Sequence, residues 1–219
     1  MPATVNANRV DAITPNVMPV VDLFIPSIIY RSGLFGQIVS EYNGHMTTYI
    51  LAGGCFWCLD AVYRRINGVD KVVSGYTGGQ IDNPTYDQVS TGVTGHAEAI
   101  QITFDEQIVP AAVILDLFFL IHDPTTLNRQ GNDIGTQYRS AMFYTNDNQK
   151  HDFESAITRA KSYWNDPIVT EITKLDNFYN AESYHQDYFN KNPGNGYCSI
   201  VITPKIIKAR SAYTKWFKD

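Results

Sequence analysis

Cys55 follows Gly53 and Gly54 and precedes Phe56, Trp57 and Cys58, where a short apolar strand gives way to an amphipathic helix. The first backbone N–H groups of a helix lack partners, and the helix dipole places partial positive charge there. A cysteine at that point is expected to have a lowered pKa and a reactive thiolate. Gly53 and Gly54 let the backbone turn sharply and leave room for a substrate. A buried, inert cysteine is the competing reading. Phe56 and Trp57 are read as core residues or as an apolar cage for a methyl or thioether group. Cys55 and Cys58 also form a CxxC pair, which suggests a dithiol redox centre or half a zinc site. The zinc reading lacks a second CxxC or an HxxxH, and Cys198 would be a distant ligand, so no metal is expected.

From Ala97 to Phe104 the chain alternates as a strand does. Glu98, Ile100, Ile102 and Phe104 then share one face. Burial of Glu98 at the head of that apolar face would raise its pKa and keep it protonated near neutral pH. A neutral carboxylic acid can donate a proton, as a general acid must. The alternative is a strand-end glutamate leaning into solvent. Tyr86, in a Gly/Asn-rich loop, and Tyr138, in a predicted strand, do not stand out by composition in a chain with 14 tyrosines. His96 is read as a second acid, a loop hydrogen bond or a solvated side chain.

The elements that must position these residues follow from periodicity. Strands are expected at 48–52, 71–76, 97–104, 137–144 and 168–175. Helices are expected from Cys55 to Ile66, closed by Asn67-Gly68, and at 110–121, 150–164 and 181–190. A long loop covers 77–95. The alternation of strands and helices predicts an α/β (α+β) fold, one mixed sheet with helices packed on it. Residues 1–45 show no sustained period and read as an irregular arm, with residues 46–219 as the catalytic domain.

The chain has 219 residues, 44% hydrophobic and 18% charged, which suits a soluble globular protein with a proper core. A net charge of −5 disfavours nucleic-acid and anionic-membrane partners. The longest apolar run, Val20 to Tyr30, contains Asp22 and Pro26 and is too short to span a membrane. It lacks the flanks of a signal peptide. The cytoplasm is the expected compartment, and a disulfide among three cysteines is expected to be transient and catalytic rather than structural.

Gly54-Cys55-Phe56-Trp57 resembles the active-site motif of the peptide methionine sulfoxide reductase A family. Further blocks agree in order and spacing: Gly75-Tyr76-Thr77-Gly78-Gly79, Asn83-Pro84-Thr85-Tyr86, Gly95-His96-Ala97-Glu98, His122-Asp123-Pro124-Thr125, the run from Gln130 to Ser140, and Ala181-Glu182-Ser183-Tyr184-His185-Gln186. The resemblance extends from about residue 47 to about residue 208. It implies a mixed sheet with a ferredoxin-like plait at its centre. It implies reduction of the S epimer of methionine sulfoxide, free or in proteins, with no metal or flavin. Cys55 would be the nucleophile, and Phe56 and Trp57 would hold the substrate methyl. Glu98 would protonate the sulfoxide oxygen, and Tyr86 and Tyr138 would hydrogen-bond it. Asp133 would support the site through water or neighbouring contacts. Cys198, among Asn192, Pro193, Gly194, Asn195 and Gly196 in a segment read as a mobile loop, matches the family's resolving cysteine. Cys58, where many members carry glycine, is a second candidate for that role. An external dithiol such as thioredoxin would restore the thiols, and a monomer is expected. Two other readings compete. A general CxxC disulfide oxidoreductase would leave Glu98, Tyr86 and Tyr138 without roles. A non-catalytic module that cages methionine sulfoxide or zinc would not need thiol chemistry.

Overall fold

The computed structural model describes residues 45–218; the expected arm at 1–45 lies, except for His45, outside the described residues. In chain order the elements are β1 (Met46–Gly53), α1 (Phe56–Tyr63), β2 (Val69–Thr77), α2 (Tyr86–Ser90), β3 (Ala97–Asp105) and α3 (Ala111–Ile121). A small hairpin of β4 (Arg129–Gln130) and β5 (Asp133–Ile134) and a 3-10 turn at Thr136–Tyr138 lead into β6 (Ser140–Tyr144). Then come α4 (Asp147–Ala160), β7 (Glu171–Lys174), β8 (Phe178–Asn180), a 3-10 turn at Ser183–His185 and α5 (Tyr188–Lys191). A π-helical segment, Cys198–Ile202, runs directly into α6 (Thr203–Ala212).

Six strands form one sheet in the order β7-β6-β1-β3-β2-β8. The β6–β7 pair is parallel and the other pairs are antiparallel, so the sheet is mixed, as expected. Helices bury one face. Leu51, Ile100, Ile102 and Phe104 of the sheet join Leu59, Val62 and Tyr63 of α1, Ile114, Leu117 and Phe118 of α3, and Phe153 of α4 in the main core. Ile50, Ala52, Ala97, Ala99, Ala141 and Phe143 form a smaller cluster. β3 is therefore buried on both sides, which a strand alternating large residues with alanines permits. Asp60, 1% exposed, accepts from Arg64, and Arg64 Nη2 donates to the Val72 carbonyl at 2.7 Å, tying α1 to β2. Among the described residues no helix is long and apolar enough to cross a membrane.

Four local expectations change. The strand predicted at 137–144 begins only at Ser140, and Tyr138 ends a 3-10 turn. The helix predicted at 181–190 is broken into a turn and a short helix. The loop at 77–95 contains α2, started by a capping box between Thr85 and Gln88. The segment around Cys198 is helical, not a loop.

Candidate active site

At the end of β1 the chain turns through Gly54 at φ 85°, a left-handed conformation that glycine adopts without strain. A Cβ there would stand 2.4 Å from Gln130 Cγ, so the close approach of the β4 side chain also requires glycine. The turn delivers Cys55 to the N-cap of α1. Cys55, Phe56, Trp57, Tyr86, Glu98, Asp133, Tyr138 and Tyr197 line one cavity of ≈ 180 Å³. That is smaller than the roughly 300–1,000 Å³ of a drug-sized site and suits the end of a side chain. Seven of these residues were expected from the sequence. Tyr197 was not.

Glu98 is 2% exposed at the start of β3, on the face with Ile100, Ile102 and Phe104. Its Oε2 accepts from the Phe56 N–H at 3.1 Å, so the acid is fixed against the first turn of the helix that carries Cys55. Burial pushes the carboxyl up to about 8, outweighing that backbone hydrogen bond; the Asp133 and Cys58 charges add in the same direction. Glu98 is thus protonated at neutral pH, as expected.

The expected lowering of the Cys55 pKa does not hold. Burial pushes this thiol well above its ordinary value, and its hydrogen bond to Cys58 and the Glu98 charge push the same way. The Trp57 backbone at the helix N-terminus pulls downward, as expected there, but desolvation outweighs it. The partner carries the opposite effect. Cys58 is pushed down to about 7, first by the hydrogen bond from Cys55, with the Lys205 ammonium assisting against burial. The two sulfurs therefore lose one shared proton near neutrality. Of the two thiols, it is Cys58 whose thiolate the surroundings favour.

The aromatic wall has two parts. Phe56 is 1% exposed and packs on Tyr76, so it is core as much as cage. Trp57 is partly buried and stacks on Tyr188, with centroids 3.7 Å apart and planes 6° apart. Its Nε1–H donates to His185 Nδ1 at 3.1 Å. Burial pushes the Tyr86 phenol up to about 12 and Tyr138 higher still, so both remain neutral donors. Tyr197 OH donates to Asp133 Oδ2 at 3.0 Å and lies 4.0 Å from Cys58 Sγ.

Cys198 does not line the cavity. It is 2% exposed at the head of the π-helical segment, and burial raises its thiol, with the Cys58 charge adding. All three cysteines are free thiols. His96 accepts from the Gly79 N–H at Nδ1 and bonds the Ile81 carbonyl through Nε2, so of its three readings the loop hydrogen bond is the observed one. Among the described residues no cluster of His, Cys, Asp and Glu could hold a metal. Tyr197, His185 and Lys205 were given no role from the sequence; they lie far along the chain from the site they face, and only His185 falls in one of the blocks that carry the resemblance.

The chain belongs to the peptide methionine sulfoxide reductase family, whose model matches residues 47–217. Within that family it is an enzyme of the A type. A relative named peptide methionine sulfoxide reductase MsrA, from Paenarthrobacter aurescens strain TC1, is 59% identical over 171 residues, 78% of this chain and 98% of the relative. The protein of that name from Acinetobacter baumannii strain SDF is 52% identical over 174 residues, 80% of this chain and 99% of its own length. The crystal structure of Mxr1 from Saccharomyces cerevisiae in reduced form aligns with a TM-score of 0.66 at 35% identity, covering 71% of this chain and 91% of that one. Methionine sulfoxide reductase A of Corynebacterium diphtheriae aligns with a TM-score of 0.63 at 31% identity, covering 70% and 78%.

Proposed function

We propose that the cavity reduces the S epimer of methionine sulfoxide, free or in proteins, by covalent thiol chemistry at Cys55. The observation that carries this reading is the meeting of acid and nucleophile on one cavity wall: the N–H of Phe56, the residue after Cys55, holds Glu98, and both Cys55 and Glu98 line the cavity. The substrate methyl lies against Trp57 and Phe56, and its oxygen faces Glu98, Tyr86 and Tyr138. Sulfoxide oxygen leaves sulfur poorly until it is protonated. The proton on Cys55 passes to Cys58 along the S–H···S hydrogen bond, which leaves the thiolate on the attacking sulfur. Cys55 attacks the substrate sulfur while Glu98 gives its proton to the oxygen. The hydroxyl formed on the substrate sulfur then passes to the Cys55 sulfur as the new S–S bond and the S–O bond to the substrate break, so methionine leaves and Cys55 becomes a sulfenic acid, oxidised by the two electrons the sulfoxide gains.

Regeneration needs a second thiol to attack that sulfenic acid, releasing water and forming a disulfide. We assign the first attack to Cys58 instead of Cys198. Its support is the hydrogen bond between the two sulfurs, a pKa pushed down to about 7, and the neighbouring Lys205. Cys198 is buried and within electrostatic reach of Cys58, so it is suited to attack Cys58 next and free Cys55. An external dithiol, thioredoxin by expectation, then reduces the Cys58–Cys198 disulfide. The test is turnover of methionine sulfoxide with dithiothreitol by wild type and Cys55→Ser. The serine hydroxyl has no anionic form near pH 7, so turnover should vanish. Substantial turnover by Cys55→Ser would refute the reading.

A further inference from the structure

His185 is 1% exposed, beneath the aromatic wall, with its ring 5.1 Å from Phe56, 5.6 Å from Trp57 and 4.5 Å from Tyr86. A residue that merely filled this space would be better as phenylalanine, because a buried ring N–H without a partner is costly. Nε2 of His185 is such an atom: it makes no hydrogen bond among the described residues. The other nitrogen, Nδ1, accepts the Trp57 indole N–H at 3.1 Å. An accepting Nδ1 carries no proton, so the neutral ring holds its proton on Nε2. The nearest charged group on that side is Glu182, with Oε2 at 4.0 Å from Nε2. Glu182 is itself fixed, accepting from Tyr76 OH at 2.8 Å and from the Tyr86 backbone N–H at 2.8 Å.

We propose that His185 is a positioning residue, set by Glu182, whose Nδ1 holds the Trp57 indole in the orientation that cages the substrate methyl. Stacking on Tyr188 fixes the plane of the indole but lets it slide within that plane. The hydrogen bond to Nδ1 removes the sliding. One carboxylate then stands behind two walls of the cavity, facing His185 Nε2 at 4.0 Å and accepting from the Tyr86 N–H at the start of α2. Burial lowers the His185 pKa, which keeps the accepting, neutral form in place. The proposal rests on the assignment of Trp57 to the methyl cage.

The test uses the full chain and reads the hydrogen bond separately from catalysis. In ¹⁵N-histidine spectra of wild type, His185 should be the Nε2–H tautomer; an Nδ1–H tautomer overturns the proposal without any variant. The Trp57 indole N–H resonance, assigned with Trp57→Phe, should move upfield in His185→Phe. KM for methionine sulfoxide should rise roughly 2- to 12-fold, the worth of one hydrogen bond, while kcat stays put. His185→Asn offers a side-chain oxygen near the position of Nδ1 and should recover both readings in part. A folded His185→Phe with an unmoved indole resonance, or His185→Asn no better than His185→Phe, overturns the proposal. A moved resonance with unchanged KM would instead show that Trp57 does not cage the methyl, and the positioning role would fall with it.

Discussion

Replacing Glu98 by glutamine removes the acid proton while keeping the shape of the side chain and an oxygen for the Phe56 N–H. The carboxyl holds its proton from the ordinary 4.5 up to about 8 because it is buried. At about 1.4 kcal/mol per pH unit, that is roughly 5 kcal/mol of preference for the neutral form, an upper bound on what the charged form costs the fold. The sign follows from proton binding. The folded state keeps a proton that the unfolded chain releases near 4.5, so this contribution to stability is complete below 4.5 and is lost as pH rises through about 8. Wild type should therefore show a falling urea midpoint between about pH 5 and about pH 8.5, and Glu98→Gln should flatten that fall. Activity carries a second signature. Wild-type turnover with dithiothreitol should rise as the dithiol pair ionises near about 7 and fall as Glu98 ionises near about 8. Glu98→Gln should lose about 10²–10⁴-fold in the chemical step and lose the alkaline limb. A variant that keeps that limb, or falls by less than about tenfold, would show that Glu98 is not the proton source.

Trp57→Ala should weaken substrate binding by about 1–3 kcal/mol, read as a rise in KM for methionine sulfoxide; unchanged kinetics would make Trp57 a core residue only. Single turnover without reductant, quenched early and mapped by peptide digestion, should show Cys55–Cys58 before Cys58–Cys198. A first disulfide between Cys55 and Cys198 would return the resolving role to Cys198. Gly54→Ala forces a side chain into φ 85° and against Gln130, and should cost about 1–3 kcal/mol in chemical denaturation. An alanine variant as stable as wild type would show that the turn tolerates a Cβ.

What could be read from the sequence was local. The Glu98 face of β3 follows from strand alternation, and its burial and raised pKa come directly from that pattern. The Gly54–Cys55 turn was equally visible, because a glycine pair between a strand and a helix has few other uses. The Cys55 pKa went the other way because helix-end stabilisation is a local effect, whereas desolvation depends on everything that covers the sulfur. Cys198 stands after Asn192, Pro193, Gly194, Asn195 and Gly196, a stretch that looks like a loop. The helical segment that follows is stabilised by packing Cys198, Ile202 and Ala209 into the core, not by any strong amphipathic period. The Trp57–His185 hydrogen bond joins residues 128 apart in sequence. No periodicity reports such a contact.

The hydrogen bond from Phe56 N–H to Glu98 lies between a helix and strand β3, in the sheet interior, while Cys198 belongs to the C-terminal helical layer. The two halves of the proposed cycle thus draw on parts of the molecule with different opening free energies. Hydrogen exchange should find the amides of β1 and β3 among the slowest and those from Cys198 to Ile202 faster. Exposure of the regenerating thiol can then occur by fluctuation of that outer layer, with the sulfoxide-reducing geometry left intact inside.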